Sequence, residues 1–257
     1  MNRINQLFQQ KKENILSIYF TAGHPELNST CDILQGLEKS GVDMVEIGMP
    51  FSDPLADGPV IQDSSSKALK NGMSLKVLFE QLASIRQNIQ IPLLLMGYIN
   101  PILQFGIENF CKKCKETGID GVILPDLPMD EFQNHYQKYF DENDLRFIFL
   151  ITPQTSAERV RMIDSVSKGF IYMVSSSSTT GAKGNIADKQ VEYFNKIKAM
   201  KLNSPLVIGF GISNRETFTR ACRYASGAII GSAFVKMLAE TDQWIEEIKS
   251  FINNIKN

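Results

Sequence analysis

Chemistry in this chain starts from a carboxylate inside an apolar run. Glu46 interrupts Met44-Val45-Glu46-Ile47, and two-residue alternation turns its side chain to the face opposite Val45 and Ile47. An ionised carboxylate in such a place is costly unless paired. Partial desolvation raises its pKa toward the range in which one group both gives and takes a proton. A structural glutamate hydrogen-bonded at a strand end accounts for these residues equally well. Downstream, Phe51-Ser52-Asp53-Pro54-Leu55-Ala56-Asp57-Gly58-Pro59 adds two carboxylates on a segment restricted by Pro50, Pro54 and Pro59. An acid at a strand end and another on a stiffened loop can flank one substrate. Turn residues beside proline and glycine are the alternative for Asp53 and Asp57.

Anion-binding signals lie in the second half. Ile208-Gly209-Phe210-Gly211-Ile212-Ser213 and Ile229-Ile230-Gly231-Ser232-Ala233 each close an apolar run with glycine, and Thr180-Gly181 lies in the loop before them. Glycine lets backbone N–H groups approach an anion, and a helix N-terminus favours negative charge. A single G-x-G is explained as well by a tight turn. Glycine at two consecutive strand ends, with Ser232 opening a helix, points to a phosphate. Tyr19, Met96, Tyr98, Tyr172 and Phe210 fall near ends of apolar runs, where they line an apolar, planar substrate or plug the core. No lysine falls at a strand end, against a Schiff-base aldolase. The two histidines, His24 and His135, are isolated, against a zinc aldolase. Carbon–carbon cleavage here would therefore rest on acid–base chemistry at the substrate.

The elements that must position these groups alternate. Continuous apolar runs at 15–21, 44–48, 92–96, 122–124, 147–151, 170–174, 206–209 and 228–230 suit parallel strands covered on both faces. Between them, Leu75, Leu78, Phe79, Leu82 and Ile85 recur at helical spacing. Val160, Ile163 and Val166 do the same, as do Ile245, Ile248, Phe251, Ile252 and Ile255. Ser40-Gly41 and Thr117-Gly118 close helices, and Ser213-Asn214 caps one. Eight βα units in 257 residues predict an α/β fold, a (βα)8 TIM barrel in a single domain spanning 1–257, with additional N- and C-terminal helices. Long connections at 50–59 and at about 175–188 then lie on the face where barrel loops build active sites.

Composition limits the rest. Lys plus Arg total 27 against 28 Asp plus Glu, so no basic face for nucleic acid is expected. Four cysteines include Cys111 and Cys114, whose C-x-x-C spacing falls on a helical face with Ile107 and Phe110 and reads as packing. The expected thiols are reduced, no apolar run reaches membrane-span length, and the N-terminal residues lack a signal-peptide core. A cytoplasmic protein is expected.

The block Glu46-Ile47-Gly48-Met49-Pro50-Phe51-Ser52-Asp53-Pro54-Leu55-Ala56-Asp57-Gly58-Pro59 closely resembles the signature of tryptophan synthase α subunits. Phe20-Thr21-Ala22-Gly23-His24-Pro25, Met96-Gly97-Tyr98-Ile99-Asn100-Pro101, Gly209-Phe210-Gly211-Ile212-Ser213 and Gly231-Ser232-Ala233 follow the family in order. The resemblance implies a lyase that splits indole-3-glycerol phosphate into indole and glyceraldehyde 3-phosphate in tryptophan biosynthesis. It makes Glu46 the general acid–base at indole C3 and the glycerol hydroxyl, and Asp57 the carboxylate at the indole N–H, with Tyr172 near Glu46. Gly181, Phe210, Gly211, Gly231 and Ser232 match the phosphate site, and Tyr19, Met96, Tyr98 and Ile123 match the indole pocket. Thr180 matches a threonine that meets the Asp57 position on loop closure. The resemblance also implies a partner β subunit carrying pyridoxal phosphate in an α2β2 heterotetramer, contacted through Pro50, Asp53 and Pro54, and no cofactor or metal in this chain. The sequence departs from the pattern in two places: near Ser178, where many relatives have an additional glycine, and at His24, where several carry aspartate. Two other readings remain at this point: a different phosphate-binding barrel enzyme, such as a sugar-phosphate isomerase or an indole-glycerol-phosphate synthase, and a silent subunit that only activates β.

Overall fold

The computed structural model describes residues 1–175, 183–241 and 243–257, with side chains throughout except at 183–188. Among the described residues, eight parallel strands close on themselves in sequence order. They are β1 (Ile15–Thr21), β2 (Met44–Gly48), β3 (Leu93–Met96), β4 (Gly121–Ile123), β5 (Arg146–Ile151), β6 (Ile171–Val174), β7 (Leu206–Gly209) and β8 (Gly227–Ile230). Helices follow the strands, and the barrel is flanked by the terminal helices Arg3–Gln10 and Trp244–Lys256. This is the expected α/β barrel.

The apolar runs become strands because every position is shielded. All of β1 and all of β2 is buried, as suits strands with a filled interior on one side and helices on the other. Register sets which side chains share the interior, since paired residues of parallel neighbours face the same way. Tyr19 pairs with Glu46, Glu46 with Leu94, Met96 with Ile123, and Tyr172 with both Leu150 and Val207. Glu46, Tyr19, Met96, Ile123 and Tyr172 thus belong to one inward-facing set.

Strand limits differ from the sequence reading by a residue in places. β8 begins at Gly227, one residue earlier than its apolar run, because Gly227 pairs with Ile15 and with Val207. A Cβ there would overlap the Ile15 carbonyl, so close strand approach requires glycine where strand propensity would not place it. The helix after β6 begins at Lys183, so 183–188 are helical where a loop to about 188 is expected. That polar first turn lacks the apolar spacing by which a helix is recognised. Thr180, Gly181 and Ser178 lie outside the described residues.

The helix faces follow their spacing with two exceptions. Leu78, Phe79 and Leu82 are buried on the helix Leu75–Leu82, whereas Ile85 belongs to a separate 3-10 turn, Ile85–Gln87. In the C-terminal helix Ile248, Ile252 and Ile255 are buried, whereas Ile245 in its first turn is 55% exposed. Gly118 ends the helix Ile107–Thr117 in the left-handed conformation, and Cys111 and Cys114 are buried free thiols on that helix beside Phe110. Asn214 forms a reciprocal cap with Thr217. Among the described residues no helix is long and apolar enough to cross a membrane.

The closed end of the barrel, where the strands begin, is filled by the N-terminal helix. Asn2 caps that helix by accepting from the Ile4 N–H, and its amide donates to the carbonyls of Asp120 and Asp144. The Ile4 side chain occupies the space a Cβ on Gly121 would need, at 2.8 Å.

Candidate active site

Glu46 is fully shielded from solvent. Its Oε1 accepts a hydrogen bond of 3.0 Å from the Ser17 hydroxyl on β1, itself fully buried. The other oxygen, Oε2, is buried without a hydrogen-bond partner. Desolvation therefore dominates, and burial raises the Glu46 pKa to about 8 against the smaller, opposite pull of Ser17. At neutral pH such a carboxyl holds its proton yet can lose it. The expected rise follows from the position of the residue inside the strand.

Two tyrosines flank this carboxyl. Tyr19, its register partner on β1, and Tyr172 on β6 are both buried. Their hydroxyls are held well above the ordinary tyrosine range. Burial is the main cause in both, with charge repulsion from Glu46 and Asp57 adding to it. Their positions depend on glycines at neighbouring strand ends. A Cβ on Gly48 would overlap the Tyr19 phenol, and one on Gly209 would overlap that of Tyr172. Gly48 and Gly209 thus shape the interior by leaving room for these two rings.

Asp57 is brought back to the barrel mouth by Tyr98. The Tyr98 hydroxyl donates to Asp57 Oδ2 at 2.9 Å and accepts from the Ala56 N–H at 2.9 Å. The ring of Phe51 lies 5.3 Å from that of Tyr98, centroid to centroid. One tyrosine at the end of β3 therefore ties down both limbs of the loop at 50–58. Burial raises the Asp57 pKa, and the Tyr98 bond opposes the rise. Asp57, Tyr98, Tyr19, Met96, Phe51 and Met49 contribute to the wall of one cleft, completed by Ser65, Gly97 and Pro125. Glu46 and Ile123 are buried and do not line it. Tyr19 links the two, since it lines the cleft and pairs with Glu46.

The two glycine sites converge on the same tyrosines. Phe210 and Gly211 take the left-handed conformation, with φ of 69° and 72°. The Phe210 ring, 38% exposed, lies 6.3 Å from that of Tyr172, and its carbonyl accepts from the Ser175 hydroxyl. Gly231 precedes the helix Ser232–Ala239, whose first bonds run from Phe234 and Val235 to the Gly231 carbonyl. A Cβ on Gly231 would meet Tyr19 only at ordinary contact distance, 3.5 Å. Packing within the chain does not demand that glycine, whereas close approach of a ligand to its backbone would.

On the outer side of the loop, Asp53 is exposed and accepts from the Ser52 hydroxyl. Pro50 and Pro54 are half-buried, and Leu55 between the acids is 91% exposed. Among the described residues no three His, Cys, Asp or Glu side chains converge in a way that could hold a metal.

Ser17 was not legible as part of this site. Its signal is present in β1, where Ser17, Tyr19 and Thr21 share one phase of the two-residue repeat, but it acquires meaning only once β1 is known to pair with β2.

Comparison with known proteins agrees with this geometry. Residues 5–257 match the family Tryptophan synthase alpha chain. The tryptophan synthase alpha chain of Flavobacterium psychrophilum is 60% identical over 255 residues, covering 99% of this chain and 100% of the relative. That of Bacteroides thetaiotaomicron is 59% identical over 240 residues, covering 93% of this chain and 94% of the relative. Among solved structures, a tryptophan synthase alpha chain from Legionella pneumophila subsp. pneumophila superposes with a TM-score of 0.89 at 31% identity, covering 100% of this chain and 96% of that one. With residues 5–257 matched to the family and the Flavobacterium and Bacteroides relatives more than half identical, the chain belongs to the tryptophan synthase alpha chain family.

Proposed function

We propose that Glu46 and Asp57 carry the lyase reaction of this family in this chain, the cleavage of indole-3-glycerol phosphate to indole and glyceraldehyde 3-phosphate. The protonated Glu46 carboxyl gives its proton to indole C3. The positive charge this puts on the ring is met at the ring nitrogen by the Asp57 carboxylate. The Glu46 carboxylate so formed takes the proton of the glycerol hydroxyl next to the bond that breaks. The hydroxyl oxygen becomes the aldehyde oxygen, and the C3–glycerol bond electrons return to the ring as its double bond. Indole leaves neutral and Glu46 ends protonated, as it began. One carboxyl thus serves as acid and then base, which requires a pKa near the working pH.

The observation that carries this reading is the fully buried Glu46, its pKa at about 8, with one oxygen unpartnered. Tyr19, Met96 and Tyr98 form the wall for the indole ring, with Ile123 behind Met96, and Tyr172 packs against the reacting carbon. Backbone N–H groups around Phe210, Gly211, Gly231 and Ser232 take the phosphate, helped by the positive end of the helix Ser232–Ala239. Gly181 and Thr180 join the site on the family resemblance alone.

The chain works as one barrel domain with a β subunit that carries pyridoxal phosphate, in an α2β2 assembly in the cytoplasm, and itself uses no cofactor. Pro50, Asp53 and Pro54 form its contact, a reading supported by the exposed Asp53 and Leu55 on the outer side of the loop that holds Asp57.

The test is Glu46→Gln, assayed for indole release from indole-3-glycerol phosphate with β present. Retained phosphate-ligand binding with a fall in turnover of about a thousandfold or more is expected. Turnover near that of the unaltered chain would remove Glu46 from the reaction.

A further inference from the structure

We propose that Ser17 is a positioning residue for the proton transfer, holding Glu46 Oε1 as a permanent acceptor so that Oε2 alone exchanges the proton with substrate. The proposal rests on the reading of Glu46 as the acid–base group and deepens it. Three observations carry it. Ser17 Oγ lies 3.0 Å from Oε1. Both residues are fully buried, so the bond is shielded from bulk solvent. Among the described residues Ser17 is the only hydrogen-bond donor to the carboxyl, and Oε2 has no partner.

A carboxyl with both oxygens free can place its proton on either one and rotate between the two. A serine hydroxyl has one hydrogen to donate, and it is spent on Oε1. The proton is then directed to Oε2, the one oxygen left without a bond. When Glu46 becomes a carboxylate after giving up its proton, the Ser17 bond becomes charge-assisted and strengthens. Ser17 therefore stabilises the state between the two proton transfers more than the resting state. It does so without touching indole or the glycerol chain, through an atom that stays in place throughout the cycle.

Among the described residues the other groups around Glu46 make no hydrogen bond to it. Tyr19 from β1 and Tyr172 from β6 are within electrostatic reach of both Glu46 and Asp57. The Tyr19 hydroxyl is directed to Thr21, at 3.5 Å, and Asp57 on the loop at 50–58 is held by Tyr98. Burial alone opposes ionisation of Glu46, and the Ser17 bond is the one interaction that favours it.

The experiment follows the Glu46 carboxyl directly, by 13C NMR of the glutamate-labelled protein, with Glu46→Gln identifying its resonance. In Ser17→Ala the midpoint should rise by about one pH unit, the size expected for losing a hydrogen bond to a charged group. The alkaline limb of kcat should move up by the same amount and kcat at neutral pH fall about tenfold, while KM changes less than about twofold. Ser17→Cys, of similar volume and a weaker donor, should give an intermediate shift, and serves alone if the alanine variant does not fold. An unmoved midpoint in the folded variants, or a loss of kcat without displacement of the pH profile, would overturn the proposal. The two readings separate cleanly. A shifted midpoint in Ser17→Ala with an active Glu46→Gln keeps the pairing and sinks the acid–base role. An unmoved midpoint with an inactive Glu46→Gln does the reverse.

Discussion

Glu46 should make the barrel less stable as pH rises, and its replacement by glutamine should remove that dependence. The folded-state pKa is about 8 against an ordinary value of 4.5. Below 4.5 the carboxyl is protonated whether the chain is folded or not, and it contributes no pH dependence. Between the two values the unfolded chain releases the proton while the folded chain keeps it, so unfolding gains free energy with every pH unit. Stability then falls by about 1.4 kcal/mol per pH unit and levels off above 8. Across the whole interval the loss is about 5 kcal/mol, comparable to the entire stability of many domains. In Glu46→Gln the side chain is nearly isosteric and does not titrate, and its Oε1 can still accept from Ser17. Urea unfolding of both proteins between pH 5.5 and 7.5 should show the difference in stability growing by about 2.7 kcal/mol in favour of glutamine. Any constant effect of the amide cancels in that comparison. Two curves that run parallel across the interval would refute the burial argument, and with it the basis for Glu46 as a proton donor at neutral pH.

Two further outcomes follow from the geometry. Tyr98→Phe removes the hydroxyl that bonds Asp57 Oδ2 and the Ala56 N–H, so the Asp57 pKa should rise further and the loop at 50–58 loosen. Proteolysis of that loop should accelerate, stability should fall by about 1 kcal/mol, and the acidic limb of the activity profile should move upward; an unchanged profile would show that Tyr98 does not govern Asp57. Gly209→Ala places a methyl group where the Tyr172 phenol lies, which should cost about 1–3 kcal/mol of stability and lower kcat. Combined with Tyr172→Ala the stability penalty should largely vanish in a double-mutant cycle, and simple additivity would refute the steric account.

What the sequence reveals of this protein depends on how local each signal is. Glu46 is legible because an acid in a run of Met44, Val45 and Ile47 violates the pattern around it, and the violation alone predicts both its inward facing and its raised pKa. The strands of β1, β2 and β7 are legible to the residue because their apolar runs end where pairing ends. Ser17 is not, since a serine in an apolar strand is unremarkable until the neighbouring strand brings a carboxyl to it. Gly227 is misread for a similar reason: its requirement comes from the Ile15 carbonyl more than two hundred residues away. Ile245 has the spacing of a buried residue, but in the first turn of that helix it is Trp244 that packs against the core, leaving Ile245 exposed. Cys111 and Cys114 go the other way, for their helical phase outweighs the suggestive C-x-x-C spacing and they are packed as expected.

The two ends of the barrel treat buried charge in opposite ways, and the contrast gives a physical reason for reading one end as the site. Asp120, just before β4, is as buried as the interior, yet its carboxyl is fully engaged. It accepts from Arg86 at 2.5 Å, from Arg3 at 3.2 Å and from the Leu93 N–H at 2.9 Å, while Asn2 bonds its carbonyl. A buried carboxyl so surrounded acts as a fixed staple between the N-terminal helix and two strands. Glu46, near the open ends of the strands, has one neutral donor and one bare oxygen. The Asp120 cluster shows that this chain does complete the shell of a buried carboxyl elsewhere. A complete shell would fix the charge and end proton exchange. The incomplete one keeps the carboxyl poised between its two forms at a cost in stability, and that cost has a use only where a proton is to be moved.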